Sequence, residues 1–335
     1  MQVSFDGSAD SVTVPKVVSD LFSHGVLALF RNYEAGRGHS DPAGISALCD
    51  EETFLGAVRG LTDEIYAAAG TERVIDASPG NAAVEDLIAR VYGATPPRGA
   101  QTPRLVAPVF VVGVPRSGTT WVQNMLLAHP QLDGPRVETA VFVSLQPLWN
   151  NAALREWISR DALAAAMRGF VATLFADYGP RLVEKTPLHG EHLELINAVC
   201  PDASVISVHR DGRDVVRSLL EMESGTDDVV VAATRWAEIT RDISAALSSL
   251  PHARDMRYES MLDDPVGAIS DVFEWLGLPV DDTITAEVRR RAEERVSQYN
   301  TTGDVGPGKW RTLSRRQLRV VYRHAGDRLE ELGYR

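Results

Sequence analysis

One stretch in the first half of the chain constrains the fold more than any other. Leu105 to Val114 is apolar and β-branched, as expected for a strand buried on both faces, and Gly118 to His129 has apolar residues at helical spacing. Between them, Gly113-Val-Pro-Arg-Ser-Gly-Thr-Thr120 has the glycine spacing of a phosphate loop. Backbone N–H groups and a helix N-terminus make such a loop a cradle for anions. The stretch therefore predicts a parallel α/β fold with an anion site at a strand end.

Strand and helix patterns alternate along the rest of the chain. Strands are predicted at Arg181 to Val183, Ser204 to Val208 and Arg254 to Tyr258, each before a helical segment, and residues 152 to 176 predict one long helix. Such alternation is typical of right-handed βαβ units. We therefore predict a doubly wound parallel sheet with helices on both faces.

The first hundred residues have a different pattern. Residues 17 to 33 and 44 to 69 have the apolar spacing of helices, and Ala94 to Arg104, with three prolines in eleven residues, is a candidate linker. We therefore predict a mostly helical N-terminal region with its linker at residues 1–104 and an α/β domain at residues 105–335.

Composition excludes several classes of protein. The formal net charge of −12 disfavours binding to nucleic acid or to an anionic membrane surface. No apolar run reaches the roughly 18 residues of a membrane span, and the N-terminus lacks the basic start and apolar core of a secretion signal. Two cysteines are too few for a disulfide framework or a zinc site, which indicates a reducing, cytoplasmic setting.

The phosphate loop departs from that of nucleoside triphosphatases in its charged residues. Thr119 stands where those proteins have lysine, and the strand Val205 to Val208 ends in His209-Arg210 rather than in an aspartate for magnesium. The cation of the loop is Arg116 instead. These features predict a ligand with a single 5′-phosphate carrying a charged leaving portion, bound without metal. A P-loop kinase or NTPase and a non-catalytic nucleotide-binding protein are the alternatives.

At this loop the chain resembles a known family. Pro115-Arg-Ser-Gly-Thr-Thr-Trp121 resembles the 5′-phosphosulfate loop of sulfotransferases that use 3′-phosphoadenosine 5′-phosphosulfate (PAPS), and the motifs are most similar to those of bacterial, tyrosylprotein and heparan-type members. The resemblance implies that Trp121 stacks on adenine; the alternative is that it fills the core behind the loop. It also implies that the phosphosulfate is held by Arg116, Ser117, Gly118, Thr119 and Thr120.

Two further motifs resemble nucleotide-binding elements of this family. Arg210 and Ser218, eight residues apart, resemble its 3′-phosphate motif, and the end of a strand and the next helical turns can converge on one phosphate. Gly306-Pro-Gly-Lys-Trp-Arg311 resembles the segment that closes over the nucleotide, although the Arg-Lys-Gly triplet of cytosolic members is absent. This resemblance implies nucleotide contacts for Lys309, Trp310 and Arg311.

Candidate catalytic residues come from two other segments. Glu184-Lys185-Thr186-Pro187 resembles an element of heparan-type sulfotransferases, which implies that Lys185, with Arg116, contacts the sulfuryl or bridging oxygen. Glu138 resembles the catalytic glutamate of tyrosylprotein and heparan sulfotransferases and is the first candidate for the general base. His189 is the second candidate, and His192 is a further one.

The resemblance implies an enzyme that moves a sulfuryl group from PAPS to an acceptor hydroxyl and releases 3′-phosphoadenosine 5′-phosphate (PAP). Because the chain has no basic stripe suited to a polyanionic glycan, we expect a small or mid-sized metabolite; sugar, lipid and peptide tyrosine stay open. Val141 to Trp157 either lines an apolar acceptor pocket or belongs to the core. The N-terminal region is expected to pack over the acceptor side or to mediate self-association into a homo-oligomer. The expected setting is cytoplasmic, in bacterial secondary metabolism.

Overall fold

A parallel β-sheet forms the centre of the molecule. The structure is a computed structural model that describes residues 26–37, 44–70, 90–93, 105–179, 181–222, 225–294 and 306–334. Its four strands are β1 (Val109–Gly113), β2 (Val183–Glu184), β3 (Ser204–His209) and β4 (Ala253–Arg257), in the order β2-β1-β3-β4. All neighbouring pairs are parallel, so the carboxyl ends of the strands share one edge. The predicted fold class is confirmed.

Helices surround this sheet. Short 3₁₀ helices lie at Gly44–Ala47, Pro187–His192 and Lys309–Thr312. In chain order the α-helices are α1 (Leu27–Arg37), α2 (Glu51–Ala68), α3 (Thr119–Leu126), α4 (Val141–Trp149), α5 (Ala152–Trp157), α6 (Arg160–Leu174), α7 (Leu193–Val199), α8 (Gly212–Leu220), α9 (Val229–Leu247), α10 (Tyr258–Asp263), α11 (Pro265–Trp275), α12 (Asp282–Glu294) and α13 (Arg315–Glu331).

Apolar cores lie on both faces of the sheet. Along β1, Phe110 and Val112 join one buried cluster, whereas Val109 and Val111 join the other, because successive side chains of a strand point to opposite faces. The first cluster includes residues of α4, α6 and α9, and the second includes residues of α3, α11 and α12. This alternation places helices on both faces of the sheet.

The observed elements differ from the predicted ones at some of their ends and in the division of two predicted helices. The helix predicted over residues 152 to 176 is divided into α5 and α6, because Ser159 is extended and its hydroxyl accepts a hydrogen bond from the Ala162 N–H at 3.1 Å. The first strand begins at Val109 rather than at Leu105. After β4 the predicted helix is also divided, into α10 and α11, where Asp264 caps α11 and Pro265 occupies its first turn.

The described part of the N-terminal region packs on the α/β domain. Buried side chains of α1 and α2 belong to the same apolar cluster as Phe110 and Val112. The predicted linker at residues 94 to 104, and residues 17 to 25, lie outside the described residues. The proposed boundary at residue 104 stays a prediction. Among the described residues, none of the helices has the length and apolar character needed to cross a membrane.

Candidate functional site

The loops at the carboxyl edge of the sheet bring the predicted motifs together. β1 leads into the phosphate loop, β2 is followed by Lys185, β3 is followed by Arg210, and β4 is followed by Tyr258. Since ligands of parallel α/β folds bind at this edge, the four strand ends define one candidate active site.

The phosphate loop has a backbone that depends on glycine. Gly118 has a φ of 99°, and a Cβ added there would lie 2.5 Å from the ring of Tyr258. A side chain at this position would therefore be strained by its backbone conformation and would collide with the aromatic ring. Arg116 has a φ of 79°, which is costly for a residue with a Cβ. The loop thus stores strain next to α3.

Contacts join the phosphate loop to the second predicted phosphate motif. Arg116 Nε donates to Ser218 Oγ at 2.9 Å, and an N–H of Arg210 donates to the backbone carbonyl of Arg116 at 3.4 Å. Arg210 also lies over the Tyr258 ring, 4.7 Å from its centroid. The two motifs, about a hundred residues apart in sequence, therefore form one cationic cluster, called the phosphate cluster below for its proposed ligand.

Two polar atoms of this cluster are buried without a partner in the described part of the chain. They are Ser117 Oγ and Arg210 Nε. Buried polar atoms are usually hydrogen-bonded, because leaving them unpaired costs free energy. An anionic ligand would supply the missing acceptor for Arg210. The residues present therefore fit the phosphate groups of PAPS.

The segment that begins at Gly306 lies against α8. Asp214 accepts hydrogen bonds from the N–H groups of Gly308 at 2.7 Å and Trp310 at 2.8 Å, and Arg210 donates to the Gly306 carbonyl at 3.0 Å. Lys309 Nζ lies 3.7 Å from Glu221 Oε2. The Arg311 guanidinium is 4.9 Å from the Trp310 ring centroid. The segment thus reaches the phosphate cluster, while nucleotide contacts of Lys309, Trp310 and Arg311 stay predictions.

Asp211, the first acidic residue after β3, is engaged by protein groups. Its carboxylate accepts hydrogen bonds from Arg213 Nε at 3.0 Å and from an Arg213 terminal N–H at 2.7 Å. It also caps the start of α8. This carboxylate therefore does not replace the magnesium-binding aspartate of an NTPase, and Thr119, 3 % exposed, leaves the lysine position of such a loop without a cation.

The two leading catalytic candidates are in contact. Lys185 Nζ lies 2.9 Å from Glu138 Oε1. The lysine side chain is fully buried, whereas the glutamate side chain is 26 % exposed. The pair therefore presents a carboxylate that can be approached from outside and an ammonium group fixed behind it.

A buried hydrogen-bond network lies directly beneath this pair. Glu184 Oε1 accepts hydrogen bonds from the hydroxyls of Thr139 and Thr186, both at 2.7 Å. Glu184 Oε2 contacts His189 Nδ1 at 2.8 Å. Burial alone would raise the pKa of Glu184, but the contact with His189 and the hydrogen bonds from all three residues outweigh it and lower this pKa below its ordinary value. The network ties the segment that carries Glu138 to the one that carries Lys185.

The structure does not place His189, the alternative general base, where it can meet an acceptor. Its side chain is fully buried. The Phe142 N–H donates to Nε2 at 3.3 Å, which places the ring proton on Nδ1, where it is donated to Glu184. Both ring nitrogens are occupied by the protein, so His189 organises the site and does not face an acceptor.

His192, the further candidate, is half-buried. Its Nδ1 contacts Gln146 Oε1 at 2.9 Å. Burial and the neighbouring His189 lower the pKa of His192 to about 4. Its ring is therefore neutral near neutral pH.

Of the two positions that the sequence left open for Trp121, the structure has the one in the core. Its side chain is 6 % exposed, and its indole N–H donates to the Ala292 carbonyl at 3.0 Å. The ring packs edge-on against Tyr258, with centroids 5.7 Å apart. Adenine stacking is therefore replaced by the core alternative. Trp121 lies on helix α3, and its ring faces α12.

Most of the apolar side chains of the segment Val141 to Trp157 lie in the core or, like Trp157, pack against it. Phe142, Leu145 and Leu148 have no exposed surface, and Trp149 is 4 % exposed. Of the two alternatives left open by the sequence, an apolar acceptor pocket lined by these side chains is therefore not the one observed.

Two residues of the site were not assigned functional roles from the sequence. Tyr258 contacts both phosphate motifs, yet the sequence pattern indicated only the end of a strand at this position. Asp214 holds the segment at Gly308, and its position four residues after Arg210 in an arginine-rich helix start was the available signal. Contacts from residues far away in sequence, such as Asn32, had no signal in the spacing of residues.

The fold and the site define an α/β protein with a cationic cluster beside a lysine–glutamate pair at the carboxyl edge of its sheet. The chain belongs to the sulfotransferase family, whose model matches residues 108–282, and the predicted resemblance is confirmed.

Named relatives are similar to about half of the chain. A putative protein-tyrosine sulfotransferase of Caenorhabditis briggsae is 28 % identical over 186 residues, which cover 51 % of this chain and 65 % of the relative. Protein-tyrosine sulfotransferase A of Caenorhabditis elegans is 26 % identical over 196 residues, covering 52 % of this chain and 51 % of the relative. The chain thus spans between half and two thirds of the length of these relatives.

A solved structure shares the fold over nearly the whole chain. The sulfotransferase STF9 from Mycobacterium avium superposes with a TM-score of 0.50 at 15 % identity, covering 98 % of this chain and 99 % of that one. The two curated relatives are animal proteins and give no support to the expectation of bacterial secondary metabolism. The expected cytoplasmic location stays a prediction.

Proposed function

We propose that this chain transfers a sulfuryl group from PAPS to the hydroxyl of an acceptor, with Glu138 as the general base. The observation that carries the proposal is the contact between Lys185 and Glu138 at the same sheet edge as the phosphate cluster. In-line transfer needs cations at the reacting oxygens and a base for the acceptor proton, and this arrangement supplies both.

Each residue has a separate task in this proposal. The loop N–H groups and Arg116 hold the 5′-phosphosulfate, while Arg210 and Ser218 hold the 3′-phosphate. PAPS supplies the sulfuryl group: the acceptor oxygen bonds to sulfur as the bond from sulfur to the 5′-phosphate oxygen breaks, and PAP leaves with that electron pair. Glu138 takes the hydroxyl proton, and the ammonium of Lys185 stabilises the charge that develops on the reacting oxygens.

Two classes of acceptor are proposed. A small or mid-sized metabolite with a hydroxyl group is the first candidate, since the net charge of −12 is unsuited to a polyanionic glycan. The names of the two nematode relatives favour a second candidate, a tyrosine in a peptide. Both candidates need the same proton transfer to Glu138, and a phenol with a pKa of about 10 releases its proton readily.

Glu138→Gln tests the assigned base. We expect the rate of sulfuryl transfer from labelled PAPS to fall about 10²- to 10⁴-fold, because the amide of the variant cannot take the proton from the acceptor hydroxyl. PAP without magnesium should raise the melting temperature of the variant and of the unaltered protein alike. The matched control is Glu191→Gln, which alters a carboxylate that pairs with exposed Arg235.

Three results would overturn parts of the proposal. Unchanged transfer by Glu138→Gln would remove Glu138 as the base. Stabilisation by Mg-ATP but not by PAP would favour the kinase or NTPase alternative. PAP binding without transfer to any metabolite or tyrosyl peptide would favour the non-catalytic nucleotide-binding alternative.

A further inference from the structure

The turn that carries Glu138 is clamped from both sides. On the side of β2, Thr186 Oγ1 accepts hydrogen bonds from the backbone N–H groups of Thr139 at 3.0 Å and Ala140 at 3.2 Å. On the other side, carbonyl groups of the same turn accept hydrogen bonds from the N-terminal region. The Gly44 N–H donates to the Glu138 carbonyl at 3.1 Å.

Asn32, on α1, provides most of the contacts on this second side. Its Nδ2 lies 3.1 Å from the Thr139 carbonyl, 3.4 Å from the Ala140 carbonyl and 2.7 Å from Ser144 Oγ. Its Oδ1 accepts a hydrogen bond from the Ile45 N–H at 3.1 Å. One side chain therefore joins the candidate base turn, the start of α4 and the 3₁₀ helix at Gly44.

The turn needs this support because its backbone is strained. Ala140 has a φ of 51°, a left-handed conformation that costs about 1–2 kcal/mol for a residue with a Cβ. Such a conformation persists only where surrounding contacts over-determine it. The contacts of Asn32 and Thr186 meet this requirement from opposite sides.

The helix that presents Asn32 is itself anchored in the core. Leu29 and Phe30 on α1 are buried, and Tyr33 stacks on Phe54 with ring centroids 4.3 Å apart. Gly44 has a φ of 65°, and a Cβ there would lie 2.3 Å from Asn32 Oδ1. The amide of Asn32 is therefore seated in a fitted position.

We infer that Asn32 is a positioning residue for the sulfuryl-transfer reaction, which holds the strained turn at Ala140 so that the Glu138 carboxylate meets Lys185 and the acceptor. This inference rests on the proposed function. It also gives the N-terminal region a task, since α1 lies outside the part of the chain matched by the family model. Misplacing a catalytic group by about 1 Å commonly costs about 10²-fold in rate.

Asn32→Asp tests this inference in the full chain. Aspartate keeps the shape of the side chain and can still accept from the Ile45 N–H, but it cannot donate to the turn. We expect kcat with labelled PAPS to fall about 10- to 100-fold. PAP affinity should stay within about twofold, since Asn32 does not contact the phosphate cluster, and the limb of the pH–rate profile that reports the base should shift.

The controls separate positioning from folding. Arg31→Ala changes an exposed neighbour on the same helix and should leave kcat and the pH profile unchanged. Where Asn32→Asp lowers the folded fraction seen by circular dichroism, Asn32→Ser is measured instead, since it shortens the side chain without burying a charge. In the Asn32→Ser variant, the backbone amides of residues 138–144 should exchange hydrogen faster than in the unaltered protein.

The outcomes are distinguishable. Active unaltered protein together with a folded Asn32 variant of unchanged kcat and pH profile would overturn the positioning role alone. PAP binding by the unaltered protein without transfer to any acceptor would overturn the proposed function, and the positioning role with it. A lower kcat and a shifted pH profile at constant PAP affinity would support the inference.

Discussion

Replacing Glu184 by glutamine tests the buried network beneath the candidate catalytic pair. The carboxylate accepts hydrogen bonds from Thr139, Thr186 and His189, all at 2.7–2.8 Å. Glutamine has the same size, but one of its two terminal groups is an NH₂ that must face a donor. Because the Phe142 N–H fixes His189 Nδ1 as a donor, at least one buried donor is left without an acceptor.

The expected loss of stability follows from the hydrogen bonds that this substitution changes. Hydrogen bonds to a charged group contribute about 1.5–3 kcal/mol each, and an unsatisfied buried donor costs about 1–3 kcal/mol. We expect Glu184→Gln to lower the free energy of unfolding by about 3 kcal/mol near neutral pH. This value is less than the sum of the lost hydrogen bonds and the unsatisfied donor, because the threonine hydroxyls can rotate. The assay is urea unfolding followed by tryptophan fluorescence.

Acid provides a second, independent readout. The native pKa of Glu184 is lowered, so its stabilising effect is present above the unfolded pKa of about 4.3 and is lost as pH falls through the native value. Glutamine does not titrate, so the gap between variant and unaltered protein should shrink below about pH 4. The control Glu191→Gln should change stability by less than about 1 kcal/mol at either pH.

Two results would refute this reasoning. One is a urea midpoint of Glu184→Gln that equals that of the unaltered protein near neutral pH. The other is a stability gap that stays constant into acid, which would show that the Glu184 carboxylate is not held in its charged form by these contacts.

Two further substitutions test other features of the site. Gly118→Ala should destabilise the protein by more than about 1 kcal/mol in urea unfolding and weaken PAP binding, because of the positive φ at this position and the nearby Tyr258 ring. The control Gly60→Ala in α2, which has open space around it, should instead stabilise the protein by about 0.5–1 kcal/mol. Equal effects of the two substitutions on stability would contradict the argument. As the pH falls from about 7 to about 5, the free energy of unfolding of His192→Asn should rise by about 2 kcal/mol relative to that of the unaltered protein. In this range the unfolded histidine, with a pKa of about 6.5, takes up a proton, whereas the native one, with a pKa of about 4, does not. A stability difference that does not change with pH would refute the assigned pKa.

Local patterns were enough to predict the sheet and its phosphate loop. The glycine spacing from Gly113 to Gly118 lies between a strand and a helix, so the motif and its setting agree within one short stretch. Arg210 and Ser218 were assigned by resemblance to a family motif; the structure brings both into contact with Arg116, and their role toward a phosphate stays a prediction. Ser159 was a missed signal: a serine with Asp161 following in the first turn is a typical helix start, and it divides the helix predicted there.

Burial was the property that the sequence could not supply. His189 follows the lysine motif closely, and only the 3₁₀ helix beginning at Pro187 turns its ring inward onto Glu184. Trp121 stands next to the loop, but its position on α3 faces α12 rather than the nucleotide side. Asn32 lies more than a hundred residues from the turn it holds. Such contacts depend on the packing of helices, which no local spacing encodes.

The register of the sheet also sets the spacing of the phosphate-binding groups. Gly113 at the end of β1 is paired with Val208 on β3, and Val208 with Met256 on β4. A slip of β3 by one residue would move Arg210 by about 3.3 Å and turn it toward the opposite face. The register of these strands therefore sets the distance between the two proposed phosphate-binding motifs. A substitution of Val208 that shifts this register would lower nucleotide affinity, although its side chain lies in the core.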